Sequence, residues 1–164
     1  MTKSADVSAA KLWMVLAKCR HAVGLLVERN IAELGICQTD FMVLEALLHK
    51  GPLTITEIQA KVLLASGSMT AAVDRVESRG LVIRKTTAQD RRARVLELTP
   101  QGRKLIEGAF AEHVRYLEKA MSVLDSKERN QLYAGLKKLG RSASGGKNDE
   151  QTNSGDTSHH GNRR

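Results

Sequence analysis

Three arginines are concentrated in residues 87–100, where Arg91, Arg92 and Arg94 follow Asp90 between two short apolar runs. Guanidinium groups bind phosphate and suit the negative potential of a narrow DNA minor groove. Asp90 would oppose phosphate binding, but its carboxylate can hold one guanidinium fork in a fixed orientation. Runs of exposed charge are more often solvated surface than binding sites. The surrounding sequence is therefore needed to distinguish a solvated turn from a contact with nucleic acid.

The positive charge of the chain is local. The 164 residues carry a net charge of +8 and have a pI of about 9.8. Between Lys61 and Lys104, ten Lys and Arg residues face four Asp and Glu residues, a net charge of +6. A basic stretch of this kind favours nucleic acid, an anionic membrane or an acidic protein as the partner.

Several classes of protein are disfavoured. No apolar run approaches the roughly 20 residues of a membrane span, and the N-terminal segment is too charged for a secretory signal. Cys19 and Cys37 make no disulfide framework, and the histidines show no closely spaced ligand pair. No phosphate loop, nucleophile elbow or carboxylate pair indicates an enzyme. We therefore expect a cytoplasmic protein without cofactor, metal, membrane partner or enzymatic activity.

Apolar spacing predicts the elements that would position the arginines. A first helix is expected over about residues 8–34, ended by Gly35. A second is expected from an N-cap at Thr39 to the break at residues 51–52. Thr54 and Glu57 form a capping box, which predicts a short third helix. A turn at residues 65–67 would then lead to a fourth helix from about Ser68 to Arg79.

The second half of the chain is predicted to contain a hairpin and two helices. Gly80 would cap the fourth helix, and strands are expected at residues 81–85 and 94–98. Pro100 would begin a fifth helix, Asp125 or Ser126 would cap a sixth, and Gly140 would end it. Residues 142–164 contain no aliphatic side chain larger than Ala, so they are predicted to be a disordered tail.

This order predicts a mainly α fold with a small β-wing, that is, a winged helix-turn-helix. Its fourth helix could enter a major groove, with Arg75 reaching phosphate or guanine, and the hairpin tip could reach a minor groove. The inward face would consist of Met69, Ala72, Val73 and Val76, and the outward face of Ser68, Thr70, Ala71, Asp74, Arg75 and Ser78.

Residues 66–103, SGSMTAAVDRVESRGLVIRKTTAQDRRARVLELTPQGR, resemble the signature region of the multiple-antibiotic-resistance regulator (MarR) family. The similar features are the helix end VDRVESRGLV, the D-x-R wing at Asp90 and Arg92, and the L-x-L-T-x-x-G close at residues 96–102. The order of elements agrees from about residue 8 to residue 140.

The resemblance implies a homodimer in which the first and last helices of each subunit interlock and two winged domains read a pseudo-palindromic duplex. Members usually repress transcription until a small phenolic or lipophilic ligand, or oxidation, releases them. The implied division is a dimerisation helix at 1–34, the DNA-binding domain at 35–100, dimerisation helices at 101–141 and the tail. The apolar stripes favour a dimer independently, although each could pack on its own winged domain.

The resemblance makes Arg92 the minor-groove arginine and Asp90 its support. The full set of predicted DNA contacts is Ser66, Ser68, Met69, Thr70, Arg75, Asp90, Arg91, Arg92 and Arg94. Bound to DNA, the protein would be associated with the nucleoid.

An effector pocket is predicted between the winged domain and the dimerisation helices, where apolar walls and a few polar groups meet. Its candidate residues are Trp13, Met14, His21, Met42 and His49, each of which could instead fill the core. His113 is predicted to be a hydrogen-bonded residue of the apolar seam. Two alternatives remain open: a redox regulator that uses Cys19 or Cys37, and an architectural protein that coats DNA without reading its sequence.

Overall fold

A computed structural model describes residues 6–62, 66–86 and 94–145, and of residues 66–68 it describes only the backbone. The chain forms two compact units, Met1–Lys119 and Ala120–Arg164. In order, the elements are α1 (Ala9–Glu33), α2 (Gln38–Lys50), β1 (Leu53–Thr54), α3 (Ile55–Val62), α4 (Ser66–Ser78), β2 (Val82–Thr86), β3 (Arg94–Leu98), α5 (Pro100–Ala120), a 3-10 turn (Met121–Val123) and α6 (Ser126–Ala143).

One hydrophobic core holds the first unit together. It collects the inward faces of α2, α3 and α4, the last turns of α1 and the first half of α5. All four predicted inward residues of α4 are fully buried in it. Because Ile31 of α1 and Ile106 of α5 belong to the same core, the packing runs without a break across the predicted domain boundaries at residues 34 and 100.

The two wing strands, β2 and β3, belong to a three-stranded antiparallel sheet with the order β1-β3-β2. In its register Leu96 lies opposite Leu53, and Val82 lies opposite Leu98. Alternation along β3 buries Leu96 and Leu98 against the core, as predicted. The two-residue strand β1 was not predicted, because so short a segment carries no periodicity of its own. It places β3 between two neighbours and so fixes the root of the wing.

Several predicted helix ends are confirmed. Gly35 and Gly80 both have positive φ, which a residue without a Cβ adopts at little cost. The Thr54 hydroxyl accepts from the Glu57 amide while the Glu57 carboxylate accepts from the Thr54 amide, so the capping box is formed. In the second unit, Asp125 makes the equivalent capping box at the start of α6.

Other predicted helix ends are wrong by two or three residues. Cys37, not Thr39, occupies the N-cap position of α2, and α4 begins at Ser66 rather than Ser68. The helix α6 continues through Gly140 to Ala143, because a glycine costs a helix interior only about 1 kcal/mol and does not have to end it. The predicted wing turn at 87–93 and most of the predicted tail lie outside the described residues.

A buried polar pair joins α1 to α5. Nδ1 of His113 lies 2.7 Å from Oδ1 of Asn30, and the imidazole meets the Phe41 ring edge-on. Since an amide oxygen only accepts, Nδ1 carries the hydrogen. Burial lowers the pKa of His113, and the nearby Glu45 carboxylate raises it in part. The predicted role of His113 as a hydrogen-bonded seam residue is confirmed.

The closing motif of the wing connects three elements through Thr99. The Thr99 hydroxyl donates to the carbonyl of Gly80 at 2.8 Å and accepts from the amide of Gly102 at 3.0 Å. The Thr99 amide donates to the Leu81 carbonyl at 3.0 Å. The end of α4, the wing and the start of α5 are thereby fixed to one another, so this motif is structural.

We expect Gly102→Ala to destabilise the fold. A Cβ at this position would overlap the Leu81 carbonyl oxygen, which is backbone and cannot swing away. Steric overpacking of this kind costs about 1–3 kcal/mol, measurable as a lowered free energy of unfolding in urea. The matched control is Gly108→Ala on the same helix, where a Cβ meets nothing within 4 Å. That variant should be neutral or slightly stabilised, and equal losses in both would contradict the close approach.

Candidate nucleic-acid interface

The outward face of α4 consists of short or charged side chains. Its exposed residues include Thr70, Ala71, Asp74, Arg75 and Ser78, as predicted. Met69, predicted among the DNA contacts, is fully buried. Its side chain belongs to the inward stripe of α4, so that prediction is wrong. Ser66 and Ser68 lie in the first turn of the helix, and their side chains are outside the described part of the chain.

Arg75 is held from behind by α2. Its Nη2 lies 2.6 Å and its Nε 3.1 Å from Oδ1 of Asp40, and Nη2 also donates to the Thr39 hydroxyl at 2.8 Å. The Asp40 side chain is only 2% exposed, whereas Arg75 is 45% exposed. The hydrogen bond to Asp40 raises the pKa of Arg75. A residue predicted only as a DNA contact therefore also compensates a buried carboxylate.

Cys37 lies beside this pair. Its Sγ is 3.3 Å from the Thr39 hydroxyl and 3.9 Å from Nη2 of Arg75. The hydrogen bond with Thr39 lowers the pKa of the thiol. Cys19, the other cysteine, is exposed on α1.

Arg84 of β2 reaches back to α4. Its Nη2 lies 2.8 Å from Oδ1 of Asp74, and its Nε lies 3.0 Å from Oε2 of Glu77. On the same strand, Lys85 pairs with Glu97 of β3 at 2.9 Å. Two of the cations that make this region basic are therefore engaged with acids of the protein itself.

Of the predicted wing, the structure describes the two strands β2 and β3 but not the residues that connect them. Arg94 begins β3, is exposed, and lies opposite Thr86 of β2. Asp90, Arg91 and Arg92 lie outside the described residues, so their predicted roles stay predictions. The strands show where the connection must start and end, at Thr86 and Arg94.

The five predicted effector residues lie on α1 and α2. Trp13 is 67% exposed and Met14 is also more than half exposed, so neither fills the core of this chain. His21 is exposed, Met42 is partly buried, and the exposed His49 packs edge-on against Phe110 at 4.7 Å. Their role as a pocket stays a prediction.

Comparison with known proteins agrees with this geometry. Residues 36–93 match the MarR family. The chain is 35% identical over 133 residues to the HTH-type transcriptional regulator MhqR of Bacillus subtilis (strain 168), covering 81% of this chain and 92% of that protein. The chain belongs to the MarR family.

As a MarR family member it is a DNA-binding transcriptional regulator and not an enzyme. A MarR family protein from Bacillus stearothermophilus has the same fold, with a TM-score of 0.66, 25% identity, and coverage of 84% of this chain and 99% of that chain. NadR, solved in complex with 4-hydroxyphenylacetate, gives a TM-score of 0.64 at 24% identity, with coverage of 85% and 96%. No described helix is both long and apolar enough to cross a membrane.

Two residues that organise this MarR surface were not predicted from the sequence. Asp40 looked like an ordinary first-turn acid of α2, and Arg84 looked like one more exposed cation of a strand. Their partners are 35 and 10 residues away in the chain, which a local pattern does not reveal. A carboxylate at an apolar-facing helix position was the one available signal for Asp40.

We expect Arg75→Ala to lower the free energy of unfolding by about 1–3 kcal/mol, because it leaves a buried carboxylate without its main partner. Urea denaturation at a fixed protein concentration measures the change. The control is Arg79→Ala, which removes an exposed arginine just beyond α4 and should stay within about 0.5 kcal/mol of the natural protein.

The double variant Asp40→Ala/Arg75→Ala should lose less stability than the two single variants together, since no buried charge then remains. Additive losses would contradict the pairing.

Proposed function

We propose that the chain is a homodimeric repressor that reads a pseudo-palindromic operator in duplex DNA. The observation that carries the proposal is the outward face of α4. It presents small polar side chains, and the ion pairs of Arg84 join the helix to β2, the strand that leads into the basic wing. A major groove is wide enough for such a helix, and short side chains allow the backbone to approach the base edges.

On this proposal α4 supplies the sequence-reading contacts. Ser66, Ser68 and Thr70 lie in its first turns and would meet base edges or phosphates, where helix N-terminal amides favour an anion. Arg75 would add a phosphate or guanine contact from the exposed side of its guanidinium while Asp40 holds Nε and Nη2.

The wing would supply the second set of contacts. Arg92 would enter the minor groove with Asp90 holding its fork, and Arg91 and Arg94 would add phosphate contacts. Support comes from the MarR family match, which includes residues 90–92, and from the basic composition of this segment.

Uncovered apolar side chains support the dimer. On α1 the exposed set includes Leu12, Trp13, Met14 and Val15, and on α6 it includes Leu132, Tyr133, Leu136 and Leu139. Exposed apolar side chains of this kind are stabilised when a second copy covers them. The repressor would act in the cytoplasm, on the nucleoid when bound to DNA.

We infer two candidate triggers for release from DNA. NadR binds 4-hydroxyphenylacetate, which supports a phenolic effector contacting Trp13, Met14, His21, Met42 or His49. A ligand would release DNA by binding the DNA-incompetent arrangement more tightly than the competent one. The contact of Cys37 with Thr39 and Arg75 supports oxidation as the alternative trigger, since a lowered thiol pKa favours the reactive thiolate.

Selection from a pool of random duplexes tests the proposed function without knowledge of the regulated genes. We expect an enriched inverted repeat whose half-sites are about one helical turn, or a multiple of it, apart. Sedimentation should show two chains on each selected duplex, and affinity should fall steeply with salt. Binding without an enriched sequence would identify an architectural protein, and the absence of binding at low salt would overturn the proposal.

The same complex separates the two triggers. If 4-hydroxyphenylacetate releases both the natural protein and Cys37→Ser from DNA, the trigger is a ligand. If hydrogen peroxide releases the natural protein from DNA but leaves Cys37→Ser bound, the trigger is oxidation of Cys37.

We expect Arg92→Ala to weaken binding to the selected duplex by about tenfold or more, as for a specific arginine contact. Its urea midpoint should not change, because an exposed wing arginine contributes little to stability. Fluorescence anisotropy measures the affinity. The control is Arg115→Ala, a surface residue of α5 bonded to Glu112, which should leave DNA affinity within about twofold. An unaltered affinity in Arg92→Ala would remove that residue from the interface.

A further inference from the structure

Two carboxylates of α4 lie at or beside the outward face that the proposed function turns toward DNA, where they would oppose binding. The Asp74 side chain is 61% exposed, and the Glu77 side chain is 37% exposed. They are three residues apart, so they share one side of the helix. At the distances of a groove, each carboxylate repels the phosphates of the duplex, and water screens that repulsion only in part.

Arg84 contacts both carboxylates with a single guanidinium. Its Nη2 bonds Oδ1 of Asp74 at 2.8 Å, and its Nε bonds Oε2 of Glu77 at 3.0 Å. The arginine comes from β2, whose register with β3 runs from Val82–Leu98 to Thr86–Arg94. It therefore joins the helix that reads DNA to the strand that leads into the wing.

We propose that Arg84 is a positioning residue for DNA binding, which masks Asp74 and Glu77 and braces the wing against α4. With Arg84 in place, the three side chains carry a net charge of −1 instead of −2. The guanidinium also holds both carboxylates toward the β2 side of the helix. The inference rests on the proposed function, since it explains how a helix that carries two carboxylates near its outward face can approach a polyanion.

A direct phosphate contact is the competing role for Arg84. The geometry favours the mask, because the two nitrogens Nε and Nη2 are both occupied by carboxylates of α4 and only 30% of the side chain is exposed. The two roles differ in one respect. A mask becomes unnecessary when the carboxylates are removed, whereas a phosphate contact does not.

The two roles of Arg84 can be distinguished by measuring the DNA affinity of four proteins. Fluorescence anisotropy gives the affinity for the selected duplex and for an unrelated duplex of the same length. The four proteins are the natural protein, Arg84→Gln, Asp74→Asn/Glu77→Gln, and the triple variant that combines all three changes. We expect Arg84→Gln to weaken binding by about three- to tenfold, the size of one or two partly screened charge repulsions. The triple variant should return to within about twofold of the natural affinity.

Lys85→Gln is the matched control. It removes one positive charge from the adjacent position of β2, but its partner Glu97 lies on β3 and not on α4. Adding Asp74→Asn/Glu77→Gln to Lys85→Gln should change its affinity no more than the same pair changes the natural protein. Circular dichroism should show all variants folded, because surface ion pairs between partly exposed side chains contribute about 0–1 kcal/mol.

Each result has a defined meaning. Recovery in the triple variant supports the mask. A triple variant as weak as Arg84→Gln overturns it and makes Arg84 a phosphate contact, and an unaltered affinity in Arg84→Gln overturns both roles. A large loss in Asp74→Asn/Glu77→Gln alone would make the carboxylates themselves DNA contacts and would also overturn the mask. If the natural protein binds neither duplex, the proposed function fails and the inference fails with it.

Discussion

The bond between Arg75 and the buried Asp40 is the interaction on which the outward surface of α4 depends. Apolar packing turns the inward face of α4 toward the core, but it sets the rotation of the helix only to within the width of that stripe. The hydrogen bonds of Arg75 to Asp40 and Thr39 fix the rotation more closely, because charge-assisted hydrogen bonds are directional. With the rotation fixed from α2, the small polar residues of α4 point to one side, and Arg75 keeps part of its guanidinium in solvent.

The wing is fixed by a second set of directional contacts. Thr99 bonds the carbonyl of Gly80 and the amide of Gly102, while β1 and β2 flank β3. The root of the wing is therefore part of the folded core. The L-T-x-x-G motif therefore has a structural role, because its threonine joins the end of α4 to the start of α5 beside β3.

Much of this architecture follows from local sequence patterns. Helical periodicity predicted the buried face of α4, and capping residues such as Thr54 with Glu57 marked where helices begin, because both signals act within a turn or two. Contacts between distant residues were out of reach: Asp40 with Arg75, Arg84 with α4, and the pairing of β1. Met69 shows the limit within a single helix, since its position in the motif indicated DNA while its place in the apolar stripe put it inside.

The exposure of Trp13 gives the protein an optical property of its own. It is the one tryptophan of the sequence, and it stands on α1 with two thirds of its side chain in solvent. An indole in water emits at longer wavelengths than one enclosed by apolar groups. A second subunit or a bound aromatic molecule that covered Trp13 would therefore change its emission wavelength. Binding to α1 could then be followed by the intrinsic fluorescence of the protein, without an attached dye.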